Sequence, residues 1–333
     1  MKPRDLILQF LAEKKEATAA MITSELKLPS REVAAILQQL QREGLVERKD
    51  RFTWVSLVDS FTVDPRVPRD IIYYDWNRAL SKLRHAYNLK LFALLVGPKG
   101  VGKTACILKL AELLGKPVYT VNFSLRTREH HFVGRLDVKP DGSITFKKGP
   151  LVEAMETGAL LYLDEVNLAS PGCLIRLDEA LDFRRQLNVE DLWIKAHPDF
   201  YCIASINPLD RYHAGTQELP GQLISRFPVR IAFDYPEPPV EYQIVKMHVP
   251  EISKMAQRFL QVLKVIKQLR SSDLPYVPSI RESITIAKLI TSGTNLESAL
   301  RMVLIDVYRQ WDVETARAVE EILVSRGLIR SER

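Results

Sequence analysis

Leu91 Phe92 Ala93 Leu94 Leu95 Val96 Gly97 Pro98 Lys99 Gly100 Val101 Gly102 Lys103 Thr104 is followed by Ala105 Cys106 Ile107 Leu108 Lys109 Leu110. The order is an apolar strand, a glycine-rich loop and the start of a helix. Glycines let backbone N–H groups turn inward around an anion, and the N-terminus of the next helix adds partial positive charge. The spacing G-x4-G-K-T therefore predicts a phosphate cradle built from Gly97, Pro98, Lys99, Gly100, Val101, Gly102, Lys103, Thr104 and Ala105. In it Lys103 would neutralise the β- and γ-phosphates, and Thr104 would offer its hydroxyl to Mg²⁺. Such a string arises by chance about one time in a hundred in a chain of this length. The flanking strand and helix patterns lower that further.

At 333 residues and 46% hydrophobic content the chain has apolar material for two or three packed domains. The net charge of +6 permits nucleic-acid or acidic partners without demanding them. Cys106, Cys173 and Cys202 are scattered without C-x-x-C spacing. Neither a disulfide framework nor a zinc site is predicted, and a reducing, cytoplasmic setting fits. The first residues mix Lys2, Arg4 and Asp5 with no apolar core of a signal peptide, and no long apolar run follows. Neither export nor membrane insertion is expected.

Three parts follow from periodicity. Residues 1–58 read as two amphipathic runs, a helix over 30–43 with Ser30 as N-cap and Gly44 as its C′ stop, and two short strands around Lys49 and Asp50. Helices followed by a hairpin predict a small winged helix-turn-helix. Residues 59–70, with Pro65 and Pro68 and no helical period, read as a linker. Over 71–239 strands at 92–96, 118–122, 159–164, 201–206 and 229–233 alternate with helical stretches, which predicts an α/β core with a parallel sheet. Residues 240–333 are helical throughout, with runs at 252–267, 281–290, 296–310 and 313–327. They form the expected all-α lid and C-terminal helices.

Leu160 Leu161 Tyr162 Leu163 Asp164 Glu165 ends an apolar strand in two acids. Carboxylates at the C-terminal edge of a parallel strand face the crevice where such sheets bind ligands. Asp164 can hold the Mg²⁺ that Thr104 touches, directly or through water, and Glu165 can orient or deprotonate the attacking water. A solvated strand end is the bland reading, and the preceding phosphate loop weighs against it. Tyr201–Ile206 ends likewise in Asn207, which can bond the nucleophilic water or the γ-phosphate. Asn before Pro208 is also a common turn signal.

With these motifs in place, the chain resembles an AAA+ ATPase, with Asp164 and Glu165 as Walker B and Asn207 as sensor 1. Phe132 Val133 Gly134 Arg135, Thr145 to Met155 and Gly158 to Asn167 are similar to the MoxR, CbbQ, NirQ and GvpN group and to dynein-related AAA modules. The resemblance covers about residues 90–290 and implies Mg²⁺-dependent ATP hydrolysis in a ring, of the hexameric kind expected of this family. It also implies a hairpin, turning at Lys139 to Ser143, that faces the ring's channel. His130 and His131 beside it receive no metal role.

Leu223 Ile224 Ser225 Arg226 Phe227 Pro228 is similar to the family's D-R-F segment, with Ser225 in place of Asp. Arg226 is thereby the candidate finger for a neighbouring subunit's site, and Arg184, Arg185 and Arg211 are rivals. Val277 Pro278 Ser279 Ile280 Arg281 Glu282 resembles the sensor 2 start of a lid helix, from which Arg281 would touch the γ-phosphate in cis.

On residues 1–58, Arg31, Gln38, Gln39 and Arg42 would lie on the exposed side of the recognition helix and Arg48, Lys49 and Arg51 on the wing. These side chains suit contacts to duplex DNA. The segment holds ten basic and eight acidic residues, a small surplus, and winged helices also dock proteins. The expected function is an ATP-driven ring that remodels a protein target, with a von Willebrand A domain protein as a candidate partner. The alternatives are a DNA-associated motor or a transcription or replication regulator, and a GTPase resembling McrB.

Overall fold

The computed structural model describes residues 3–42, 46–56, 66–189, 192–208 and 217–330, and the chain divides into two compact units, Met1–Arg69 and Asp70–Arg333. Gly44, the expected linker residues 59–65 and Arg211 lie outside the described residues, as does the side chain of Arg42.

In the first unit α1 (Pro3–Lys14), α2 (Ala19–Leu26) and α3 (Ser30–Arg42) enclose Ile7, Leu8, Leu11, Ile22, Val33 and Leu37. Val33, Leu37 and Leu40 recur at helical spacing, which turns one stripe of α3 into that core. Ser30 is not the cap of α3. The Pro29 carbonyl accepts from Val33 N at 3.0 Å, so Pro29 takes the cap position and Ser30 is the first helical residue. Strands β1 (Glu16–Thr18), β2 (Val46–Arg48) and β3 (Thr53–Ser56) form an antiparallel sheet in the order β1-β3-β2. The Asp50 carboxylate closes the β2–β3 turn by accepting from Phe52 N and Thr53 N at 2.7 and 2.9 Å. Strand β1 was not expected, because three residues between two helices carry no readable period.

The second unit opens with α4 (Ala79–Asn88) and then alternates β4 (Ala93–Val96), α5 (Lys103–Leu114) and β5 (Val118–Asn122). A four-residue helix α6 (Glu129–Phe132) leads into the antiparallel hairpin β6 (Gly134–Val138) and β7 (Ile144–Lys148). After it come α7 (Pro150–Thr157), β8 (Leu160–Asp164), α8 (Pro171–Leu181), a second hairpin β9 (Gln186–Val189) and β10 (Leu192–Lys195), β11 (Tyr201–Ile206), α9 (Gly221–Ser225) and β12 (Val229–Ala232). The five long-range strands pair in parallel in the order β12-β4-β11-β8-β5. Both faces are covered by helices, and Leu160, Leu161 and Leu163 are fully buried, which is why these strands read as unbroken apolar runs. Prolines open α7 and α8 at positions where no backbone N–H is needed, and Gly158 ends α7 with φ +70.

Helices α10 (Pro238–His248), α11 (Ala256–Arg270), α12 (Ile280–Thr291), α13 (Leu296–Leu300) and α14 (Val313–Ser325) form a separate helical core around Phe259, Ile266, Ile286 and Leu300. The continuous helix expected over 296–310 is broken. After α13 it passes through a π turn at Arg301–Ile305 and a 3₁₀ turn at Asp306–Gln310. Tertiary bonds accompany the change of register: Arg301 reaches Glu320 at 2.7 Å, and the buried Tyr308 donates its O–H to the Tyr276 carbonyl at 2.8 Å. Among the described residues no helix is long and apolar enough to cross a membrane.

Leu163 lies at the centre of the sheet, so Leu163→Ala is expected to destabilise the second unit by about 2–5 kcal/mol. A urea titration followed by tryptophan fluorescence checks it, and an unchanged midpoint would contradict this packing.

Candidate active site at the sheet edge

Strands β4, β11 and β8 are neighbours, so the segments after their C-terminal ends meet at one edge of the sheet. The loop after β4 curls back on itself: Gly100 and Gly102 adopt φ +74 and +97, which side-chain-bearing residues rarely tolerate. Gly97 has a second constraint, because a Cβ there would lie 2.3 Å from the Phe233 carbonyl oxygen beside β12. Lys103 opens α5 and is 7% exposed. Its ammonium donates to Gly97 O at 2.5 Å, Pro98 O at 2.9 Å and Asn207 Oδ1 at 2.9 Å, which uses all three of its protons. Burial lowers Lys103 from its ordinary value of 10.5 to about 8, against the opposing attraction of Asp164 and Glu165.

Asn207 turns its other amide atom the opposite way and donates from Nδ2 to Glu165 Oε1 at 2.9 Å. Lysine, amide and carboxylate thus form one chain. Glu165 follows β8 in the left-handed region at φ +54, uncommon for a non-glycine residue, and its N–H donates to Ser205 Oγ at 3.3 Å. The Lys99 ammonium stands 4.0 Å from the same carboxylate. Asn167 donates to the Asn207 carbonyl at 3.1 Å and holds the end of β11 in place.

Asp164 has separate support. Its Oδ1 accepts from Tyr162 O–H and Ser205 O–H, both at 2.6 Å. Tyr162 in turn lies 3.0 Å from Thr104 Oγ1, and burial raises the phenol so that it stays protonated and donates to the carboxylate. Thr104 and Asp164 are thereby gathered around one hydroxyl. They present hard oxygen donors of the kind Mg²⁺ takes, so the residues fit that ion.

Lys99 to Ala105, Asp164, Glu165, Asn207 and Arg281 line one cleft of about 590 Å³. Its remaining wall is largely apolar, with Ile72, Tyr73, Trp76, Ile244 and Ile284 beside His248. Burial and Lys288 lower His248 below the ordinary imidazole value, so at neutral pH it offers an uncharged ring. Arg281 enters from α12, whose first turn is held by a capping box in which Ser279 N and Oγ donate to Glu282 Oε2, both at 2.7 Å.

Arg226 is not brought to this cleft. At the end of α9 its Nε donates to Asp178 Oδ1 of α8 at 2.9 Å. The exposed Arg184 pairs with the buried Asp182, and Arg185 lies over the Phe92 ring at 4.9 Å. His131 Nδ1 accepts from the Arg128 backbone N–H at 3.0 Å.

Tyr162, Ser205 and the 72–76 segment were missed in the sequence. For the first two a signal existed, since each lies two residues before a polar strand end and period-two geometry puts both members on one face. The apolar wall had none, because its residues come from segments far apart in sequence.

A parallel sheet carrying a glycine loop, an acidic strand end and a helical lid over the cleft defines an AAA+ P-loop ATPase. Residues 93–227 match the AAA domain (dynein-related subfamily), and residues 241–325 match the CbbQ/NirQ/NorQ C-terminal domain. Protein CbbQ of Hydrogenophilus thermoluteolus is 30% identical over 70% of this chain and 86% of its own length. Protein NorQ of Paracoccus denitrificans is 32% identical over 69% and 84%, and the denitrification regulatory protein NirQ of Pseudomonas aeruginosa 31% over 73% and 93%. The chain belongs to the CbbQ/NirQ/NorQ family of AAA+ ATPases, within the MoxR group.

The role expected of Lys103 in the glycine loop, to neutralise phosphate charge, requires its charged form. In the free protein that form is lost above pH about 8, so nucleotide binding must then take up a proton. Affinity for a fluorescent ATP analogue is expected to fall up to about tenfold per pH unit above that point. In Lys103→Met the affinity should be low and the slope absent; an equal slope in both proteins would contradict the assignment.

Proposed function

We propose that this ATPase is a ring subunit whose nucleotide site is completed by its neighbour and whose hydrolysis remodels a protein target. The observation that carries the reading is the chain Lys103–Asn207–Glu165 at the floor of the cleft. It sets a phosphate-neutralising cation and a carboxylate base on one amide, so that both respond to the same phosphate. Glu165 is read as the group that orients and deprotonates water, Asn207 as the one that fixes its direction. Thr104 and Asp164 would hold Mg²⁺, which when bound neutralises phosphate charge. Arg281 is read as the cis contact to the γ-phosphate.

Arg226 supports the subunit junction. It lies on Asp178 of α8 and does not line its own cleft, and we read it as the residue that reaches a neighbouring copy's cleft. A hexamer is the stoichiometry expected of the family, and the β6–β7 hairpin, exposing Leu136, Val138 and Ile144, is the proposed gripping element. A von Willebrand A domain protein is the partner we favour for a chaperone-like activity.

Glu165→Gln is expected to lower turnover by about 10²–10⁴ while nucleotide binding persists. Arg226→Ala should lose about 10³ or more. Mixing it with Lys103→Ala subunits should restore part of the rate, because some junctions then pair an intact cleft with an intact finger. Failure of Arg226→Ala to lose activity would remove the junction reading.

A second reading is recruitment to duplex DNA. The first unit's three helices and antiparallel hairpin match a winged helix in their order, and Arg31, Gln38, Arg48 and Arg51 are exposed. Two of the wing's cations are engaged: Lys49 pairs with Glu16, and Arg48 lies 5.0 Å above the Trp54 ring. Duplex binding that weakens steeply with salt and disappears in Arg31→Ala/Arg51→Ala would support this reading. No binding at low salt would end it.

A further inference from the structure

The largest buried charge pair of the described residues lies outside the cleft. The side chain of Arg270, the last residue of α11, is 6% exposed, and its partner Glu241 on α10 is fully buried. The pairing is bidentate, Nη1 to Oε2 at 2.7 Å and Nη2 to Oε1 at 2.9 Å. Ser283 of α12 donates its O–H to the same carboxylate at 2.6 Å, and Arg270 Nε donates to the Pro278 carbonyl at 2.7 Å. One guanidinium therefore binds three lid helices together at the point where α12 begins. A buried ion pair is a poor source of stability compared with apolar packing, so its planar geometry is the property that distinguishes it.

The same guanidinium lies 4.1 Å above the ring of Tyr235, in the segment that joins β12 to α10. Tyr235 donates its O–H to the Lys99 carbonyl, in the phosphate loop, at 2.8 Å. One residue further along that loop, Gly100 is packed so closely that a Cβ would lie 2.3 Å from Ser279 Oγ, the cap of α12. Two consecutive residues of the phosphate loop thus touch the lid, one through Tyr235 and one through Ser279. Both contacts lead to Arg270: the first through the ring it covers, the second through Pro278, whose carbonyl it holds. Arg281 is the second residue of α12, so its place in the cleft is set by Pro278 and Ser279.

We propose that Tyr235 and Arg270 are positioning residues for Arg281, forming a relay from the phosphate loop to the lid. A phosphate in the cradle fixes the Lys99 peptide, the Lys99 carbonyl fixes the Tyr235 ring, and Arg270 carries that position to the start of α12. The relay rests on the reading of Arg281 as the cis contact to the γ-phosphate.

Arg270→Ala would strand Glu241 in the core and unfold the lid, so the test uses Tyr235→Phe, which keeps the ring under Arg270 and removes only the hydroxyl. In the full-length chain, the ratio of ADP to ATP dissociation constants reports how well the γ-phosphate is sensed. Arg281→Ala should reduce that preference, and Tyr235→Phe should reduce it by about threefold to tenfold, the worth of one such hydrogen bond, with ADP affinity nearly unchanged. The double variant should be no worse than Arg281→Ala alone, because the two residues act in series. Additive losses, or an equal fall in ATP and ADP affinity in Tyr235→Phe, would overturn the relay and leave the reading of Arg281 intact. An unchanged preference in Arg281→Ala would overturn that reading, and the relay with it.

Discussion

A lysine ammonium in a nearly dry site is the constraint around which this core is organised. Lys103 can remain there only if each of its protons finds an acceptor, and the acceptors come from two segments distant in sequence: the Gly97 and Pro98 carbonyls and the Asn207 amide. Meeting that requirement curls the glycine loop and draws the end of β11 against it. The sheet order makes this possible, because β11 is the direct neighbour of β4. The cost of taking this charge out of water appears as a lysine lowered to about 8.

The two acids after β8 are kept distinct by their surroundings. Asp164 is held by two hydroxyls on the sheet face, Tyr162 and Ser205, and so faces Thr104. Glu165, one residue later, is turned by its left-handed backbone onto Asn207 and toward Lys99. Adjacent carboxylates on a regular strand would point to opposite faces. The departure from strand geometry at Glu165 brings both to one cleft, and an unusual φ at a site of chemistry is where such strain is commonly retained.

The lid meets this arrangement through polar contacts of defined direction. The sheet and the lid helices have separate apolar cores. What joins them near the glycine loop is a tyrosine hydroxyl, a glycine with no room for a side chain and one buried arginine. Family membership accounts for the core and the lid, since the matched regions cover 93–227 and 241–325. The first unit lies ahead of both.

Much of the architecture was legible because it rests on local rules. Buried parallel strands need continuous apolar runs, and Leu91 to Val96, Leu160 to Leu163 and Tyr201 to Ile206 display them, each followed by its polar or glycine-rich end. The change to helical periodicity near residue 240 was readable in the same way, and α10 opens at Pro238. What failed was either too short to have a period, as with β1 and the β9–β10 hairpin, or overridden by tertiary bonds, as with the helix broken after Leu300. The chain by itself determined the class of fold and the kinds of groups available for phosphate chemistry, since strand burial and loop chirality are properties of neighbouring residues. Which groups share one amide, that Ser205 joins Tyr162 on Asp164, that Arg226 lies on Asp178 and that Arg270 joins three helices followed from long-range contacts instead. The pairings Lys103–Asn207, Asn207–Glu165, Ser205–Asp164 and Arg270–Glu241 connect residues tens to more than a hundred positions apart, and for Lys103 and Glu241 it is the burial of a charge, which obliges it to find a partner, that selects them.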